Sequence, residues 1–166
     1  MKAPIFSTVL ILSTAILLLG LARPGRAAEE PKKARPDIYD EKADGTKQIA
    51  DALALAKQEG KHVLLQFGAN WCGWCHKLHA LCETDKAIVE KLKSSYVVVL
   101  VDVNKEHNKD VDQKYGHPMQ FGLPALVVLD GYGKQLVTQD SGKLEAGDHH
   151  DPEKVLSFLK EWEPKK

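Results

Sequence analysis

The chain has 166 residues, 43% of them hydrophobic and 28% charged, the balance of one globular domain rather than of a disordered or fibrous protein. Its formal charge is zero, and with Lys2, Arg23 and Arg26 set aside, residues 28–166 carry 20 basic and 23 acidic side chains. That slight acidity offers no basic stripe for phosphates, which argues against nucleic acid as a partner, and three cysteines are too few for a disulfide-stapled scaffold.

Residues 3–22 are uncharged, with Lys2 before them, Arg23 and Arg26 after, and small residues at Gly25 and Ala27. This pattern predicts a secretory signal over 1–27, cleaved after Ala27 or, alternatively, after Ala22, and hence a periplasmic or secreted protein. The rival is an uncleaved membrane anchor, because about twenty apolar residues span a bilayer. Ser7, Thr8, Ser13 and Thr14 dilute the run and favour cleavage. Residues 28–45 are charged, broken by Pro31 and Pro36, and predict a flexible tether with little to bury.

Thr46 is the expected cap of a helix to about Glu59, in which Ile49, Ala52, Leu53 and Ala56 form one apolar stripe before Gly60 stops it. "HVLLQFG", 62–68, is nearly continuous in apolar character and predicts a strand covered on both faces. Cys72 and Cys75 follow and open a second helix. Asp85 is the predicted cap of a third, closed by Ser94-Ser95, and "YVVVLVDV", 96–103, is a β-branched buried strand. A polar loop and a short helix ending near Tyr115-Gly116 lead to Pro124 and the strand "ALVVLD", which "DGYGK" joins to "QLVTQD" as a hairpin. Asp151 and Pro152 start a last helix to about Trp162, and His149-His150 before it read as a solvated loop. Strands separated by helices predict a mainly parallel sheet covered on both faces, with an antiparallel pair from the hairpin.

The chemistry concentrates in "NWCGWCHKL", 70–78. Cys72-x-x-Cys75 after a strand is a redox-active dithiol; with His76 it also spells the attachment site of a c-type haem. Disulfide exchange runs through a thiolate, and a helix N-terminus stabilises one through unpaired N–H groups and the positive end of the dipole. Cys72 falls there, as the expected exposed nucleophile, and Cys75 lies about a turn further on as the buried resolving thiol. Trp71 and Trp74 are expected to form an apolar rim that docks a protein disulfide. His76, as a cation, would favour a neighbouring thiolate. Cys82 is expected to be a small buried hydrophobe. His79 with the two cysteines leaves a zinc shell incomplete, so no metal is expected.

"FGANWCGWCHKL", "KYG" and "GLPALVVLDGYGK" together resemble the thioredoxin superfamily in order and spacing, closest to its secreted thiol:disulfide interchange proteins, over residues 46–163. The resemblance implies an α/β thioredoxin-like fold, with a central mixed sheet flanked by helices. It implies a cis peptide at Leu123-Pro124 facing the dithiol, where the neighbouring backbone pairs with substrate; Trp71, Gly73, Trp74, Leu123 and Pro124 are the expected substrate contacts. The family carries a buried acid six residues before the nucleophile; Gln66 stands there instead and cannot take up a proton, leaving water, His76, His79 or Glu83 as the base. The loop 116–124 is longer than in small thioredoxins and carries His117, Met119 and Phe121 towards the expected substrate side.

The haem alternative would use both sulfurs, His76 and Met119, but leaves the buried strands and Pro124 without a role. A further alternative is a thioredoxin-fold chaperone with idle cysteines. The expected function is thiol–disulfide exchange on extracytoplasmic proteins, favoured in the direction of reduction, by a monomer with no bound cofactor. Its partners would be protein disulfides and a membrane-embedded dithiol that supplies electrons.

Overall fold

Strand β1, His62–Gly68, is the centre of the main sheet, because β2 and β3 both pair with it. A computed structural model describes residues 35–165; the expected signal and the first part of the expected tether lie outside the described residues. The elements are α1 (Gly45–Glu59), β1, α2 (Gly73–Thr84), α3 (Lys86–Ser95), β2 (Tyr96–Asp102), α4 (Lys109–Lys114), β3 (Ala125–Leu129), β4 (Gln135–Asp140), β5 (Glu145–Ala146), β6 (His149–His150) and α5 (Pro152–Glu161). Three short 3-10 turns, at 104–106, 118–121 and 141–144, link them.

The main sheet has the order β2-β1-β3-β4, and β5 and β6 form a separate two-residue ladder. β2 runs parallel to β1, with His62 opposite Tyr96 and Gly68 opposite Asp102. β3 is antiparallel to β1, and β4 to β3. The sheet is therefore mixed, and the expectation of a mainly parallel sheet is corrected: one pairing of three is parallel. The chain leaves β2 at Asp102 and, after α4 and the 118–121 turn, re-enters the sheet at the same end, with Ala125 opposite Phe67.

The period of two in β1 divides the core. Val63, Leu65 and Phe67 point to one face, where Ile49, Ala52 and Ala56 of α1 and Val111 and Tyr115 around α4 cover them. Leu64 lies on the other face with Leu78, Ile88, Leu92, Val155, Phe158 and Leu159 of α2, α3 and α5. Phe67, Leu65 and Val63 are fully buried. At about 25 cal/mol for each Å² withdrawn from water, such side chains contribute most of what holds the layers together. β2 is an outer strand, and Val98 on it stays exposed.

Asp85 caps α3 by accepting from Ile88 N at 3.0 Å, and Asp151 caps α5 ahead of Pro152, both as expected from the sequence. Gly60 ends α1 in the left-handed region at φ 65°, where its backbone N–H reaches Ala56 O. The start of α1 is corrected by one turn chemistry for another. Asp44, not Thr46, is its N-cap, because the Asp44 carboxylate accepts from Lys47 N at 3.0 Å while Thr46 lies within the first turn.

Part of the stretch expected as a tether packs on the folded domain. Tyr39, inside the stretch 28–45, is 3% exposed and packs against Cys72 and Cys75. The side chain of Asn70 holds it there: Oδ1 accepts from both Ile38 N and Tyr39 N at 2.9 Å, and Nδ2 donates to Tyr39 O at 3.0 Å. One amide thus satisfies three backbone groups, as a neighbouring strand would.

Candidate active site

The dithiol sits where β1 hands over to α2. Cys72 N donates to Ala69 O at 3.0 Å in the intervening turn, and Cys72 is the N-cap of α2 with extended φ and ψ. Its sulfur accepts from Cys75 N at 3.1 Å, taking the place that an Asp or Ser oxygen holds in an ordinary cap. A negative charge on Cys72 Sγ would meet that N–H and the positive end of the helix dipole. Cys72 and Cys75 are joined in a disulfide, with Cα atoms 5.3 Å apart. Cys75 is completely buried; Cys72 keeps 5% exposure, so it is the more accessible sulfur but less open than the sequence suggests. The covering groups are Tyr39 together with the partly buried Ile38, Trp74, Leu100 and Leu123.

The two tryptophans differ. Trp71 is 64% exposed, its Nε1 donating to Asn104 Oδ1 at 3.2 Å. Trp74 is half-buried: Lys77 Nζ lies 4.3 Å from its ring centroid on one side, and the ring of His150 meets it edge-on at 5.3 Å. His150 corrects the solvated loop expected for 149–150. It is buried, its Nε2 lies 3.3 Å from Trp74 O, and burial holds its pKa below the ordinary value.

Gly73 opens α2, and an added Cβ there would come within 3.3 Å of Arg35 Nη1. Leu123 and Pro124 precede β3, and Leu123 packs against the dithiol cluster. Their peptide is cis, Pro124 is buried with its carbonyl accepting from Ser141 Oγ, and Leu123 touches both the dithiol cluster and the α1-side core.

His76 Nε2 lies 2.8 Å from Asn70 O, tying α2 to the same residue that clamps Tyr39. His79 pairs with Glu83 at 3.2 Å. In the 116–124 loop, Asp112 accepts from Met119 N at 3.1 Å and sits 2.9 Å from His117 Nδ1, while the Met119 side chain packs into the α1-side core. Phe121 alone of the three keeps an exposed apolar side chain. Met119 packs into the α1-side core and His76 is engaged with Asn70 O, so the two ligands of the haem alternative are each held elsewhere. Cys82, half-buried against the α3–α5 core, is a free thiol whose pKa burial pushes up to about 12, which leaves it a poor nucleophile at neutral pH. Among the described residues no group of three or more His, Cys, Asp or Glu is placed to hold a metal.

Gln66 and Tyr39 lie behind Cys75. Gln66 is 3% exposed, and its Nε2 donates to Tyr39 Oη at 2.8 Å. A Cβ added at Gly68 would fall 2.5 Å from Tyr39 Cζ, still closer to its Oη, and 2.8 Å from Cys75 Sγ. Phenol and sulfur therefore share the hollow that this glycine leaves open. Periodicity offers no sign of Tyr39, although Ile38-Tyr39 is an apolar pair in an otherwise charged stretch.

Residues 49–146 match the family profile of a thioredoxin-like domain, more than half of the chain. The chain belongs to the thioredoxin-like family. Its fold is similar to a solved disulphide isomerase from Xylella fastidiosa Temecula1, with TM-score 0.67 and 34% identity over 75% of this chain and 95% of that one. It is 28% identical over 142 residues to the thiol:disulfide interchange protein DsbD of Ralstonia nicotianae, covering 79% of this chain and 23% of the relative. With the protein of that name from Actinobacillus pleuropneumoniae it shares 33% over 93 residues, 55% of this chain and 16% of the relative. This thioredoxin-like chain thus spans about a fifth of the length of those curated relatives.

Proposed function

We propose that the protein is a thiol–disulfide oxidoreductase acting on extracytoplasmic protein disulfides through Cys72 and Cys75, with reduction as its favoured direction. The observation that carries this reading is the cap: Cys72 Sγ accepts the Cys75 N–H at the start of α2, beside the Leu123-Pro124 loop. The same N–H stabilises Cys72 as a thiolate. The printed names of the relatives, disulphide isomerase and thiol:disulfide interchange protein, support the same chemistry.

In the reducing direction the Cys72 thiolate attacks one sulfur of a substrate disulfide. A Cys72–substrate bond forms, the substrate S–S bond breaks, and the freed sulfur leaves as a thiolate that takes a proton from water. Cys75 then gives up its proton and attacks Cys72 Sγ. The Cys72–Cys75 bond forms as the mixed disulfide breaks, so two electrons have passed to the substrate. Trp71, Trp74 and Leu123 form the apolar rim, and the backbone beside Pro124 pairs with the extended substrate. No resident cofactor is required; a second dithiol, embedded in a membrane, returns the electrons. Residues 1–27 act as a secretory signal, placing a monomeric protein in the periplasm or outside the cell. Among the described residues no helix is long and apolar enough to cross a membrane.

Cysteine-to-serine variants test this. Cys75→Ser is expected to accumulate a covalent mixed disulfide with a protein substrate, and Cys72→Ser to reduce exchange to background. A Cys72→Ser protein that retains its effect on partners would instead be a holdase, and the exchange reading would fall.

A further inference from the structure

Resolution needs Cys75 to become a thiolate inside the protein, where charge is costly. Gln66 holds the position from which the family's acid acts, and an amide does not accept that proton. The titratable groups around the site are mostly engaged elsewhere. His76 on α2 is turned to Asn70 O, and His150 on β6 to Trp74 O. Glu41, in the N-terminal segment, accepts from Asn70 Nδ2 at 3.2 Å, and Arg35 lies against Gly73. Asp102, paired with Gly68 at the end of β2, is buried; its Oδ2 accepts from Asn104 N and sits 2.9 Å from His107 Nδ1, while its Oδ1 has no partner among the described residues.

Tyr39 is different. Its Oη accepts from Gln66 Nε2, so the phenolic hydrogen remains to be donated, and the phenol and Cys75 Sγ occupy the same hollow beside Gly68. We propose that Tyr39, oriented by Gln66 and clamped by Asn70, donates its hydroxyl hydrogen to Cys75 Sγ when that sulfur becomes a thiolate, and so supports the resolving step in place of a buried acid. Burial holds the phenol's own pKa well above its ordinary value, with the Gln66 hydrogen bond opposing and Asp102 adding to the rise. The group thus keeps its proton and acts as donor, not base; the Cys75 proton goes to water. The electron balance is that of the exchange already described, on which this inference rests. It also gives Gly68 a role, since any side chain there would displace both partners.

The test is Tyr39→Phe in the full chain, which keeps the ring and removes the donor. Two readouts matter: the thiolate titration of Cys75 in a Cys72→Ser background, and the pH profile of mixed-disulfide resolution in single turnover. Loss of one charge-assisted hydrogen bond is expected to raise the Cys75 pKa by about one to two units and to slow resolution roughly ten- to a hundredfold at neutral pH. Attack by Cys72 should be unchanged. Gln66→Glu keeps the phenol but offers it a carboxylate, and is expected to slow resolution similarly. Both variants matching wild type in titration and pH profile would overturn the role of Tyr39 alone; a wild-type protein that exchanges no disulfide would overturn the exchange reading with it. Asp102→Asn is the control. If the Tyr39→Phe displacement vanishes in that background, the carboxylate sets the Cys75 pKa and the proposal fails.

Discussion

His150 shows how a single side chain reaches from the far end of the chain into the site. Seventy-six positions separate it from Trp74, yet its ring edge packs on that indole and its Nε2 reaches the Trp74 carbonyl. Burial, the largest cause, lowers its pKa from the ordinary 6.5; Glu145 opposes this and Lys77 adds to it. The sign of the consequence follows. With a depressed folded pKa, the unfolded chain binds the proton more readily, so the contribution is complete above about pH 6.5 and is lost as pH falls towards the folded value. Denaturant unfolding of wild type is expected to show stability declining on acidification through this window, and His150→Gln to flatten that slope. Equal slopes in the two proteins would contradict the assignment. Nothing in "GDHHD" marks the second histidine as buried, because a two-residue ladder carries no periodicity. The pairing of Cys72 with Cys75 at the start of α2 and the caps Asp85 and Asp151 were legible for the opposite reason: they depend on neighbours within one helical turn.

At the scale of elements, the Asn70 clamp joins the segment before α1 to the loop before α2. Its three backbone hydrogen bonds hold the main chain at Ile38 and Tyr39, beside the burial of the Tyr39 ring. Asn70→Ala is expected to raise amide hydrogen exchange at Ile38 and Tyr39 at least tenfold, since each net hydrogen bond contributes about 1 kcal/mol. Exchange in β1 and β3 should stay near wild type; unchanged protection at Ile38 and Tyr39 would show that the clamp does not hold the segment. The strands themselves were readable, as β-branched or continuous apolar runs between turn residues. The direction of β3 was not, since it depends on the end at which the connection 103–124 returns to the sheet, and no local pattern of residues records that. Tyr39 escaped because its partners, Gln66 and Asn70, lie 27 and 31 positions away.

For the molecule as a whole, the mixed sheet brings four distant stretches to one end: the N-terminal segment with Tyr39, the Asn70–Cys75 turn, the end of β2 with Leu100, and the Leu123-Pro124 loop. The parallel β1–β2 pair and the antiparallel β3 are both needed, since together they place the start of α2 beside the start of β3. The central claim is that this assembly holds a dithiol whose two sulfurs exchange electrons as a unit. Equilibrating the protein with glutathione buffers of graded ratio, and counting Cys72 and Cys75 thiols by alkylation, tests it directly. A single two-electron transition with a midpoint well below the glutathione couple is predicted, each tenfold change in equilibrium constant corresponding to about 30 mV. A midpoint well above that couple would contradict the reducing direction, and a pair that shows no transition would contradict the claim itself.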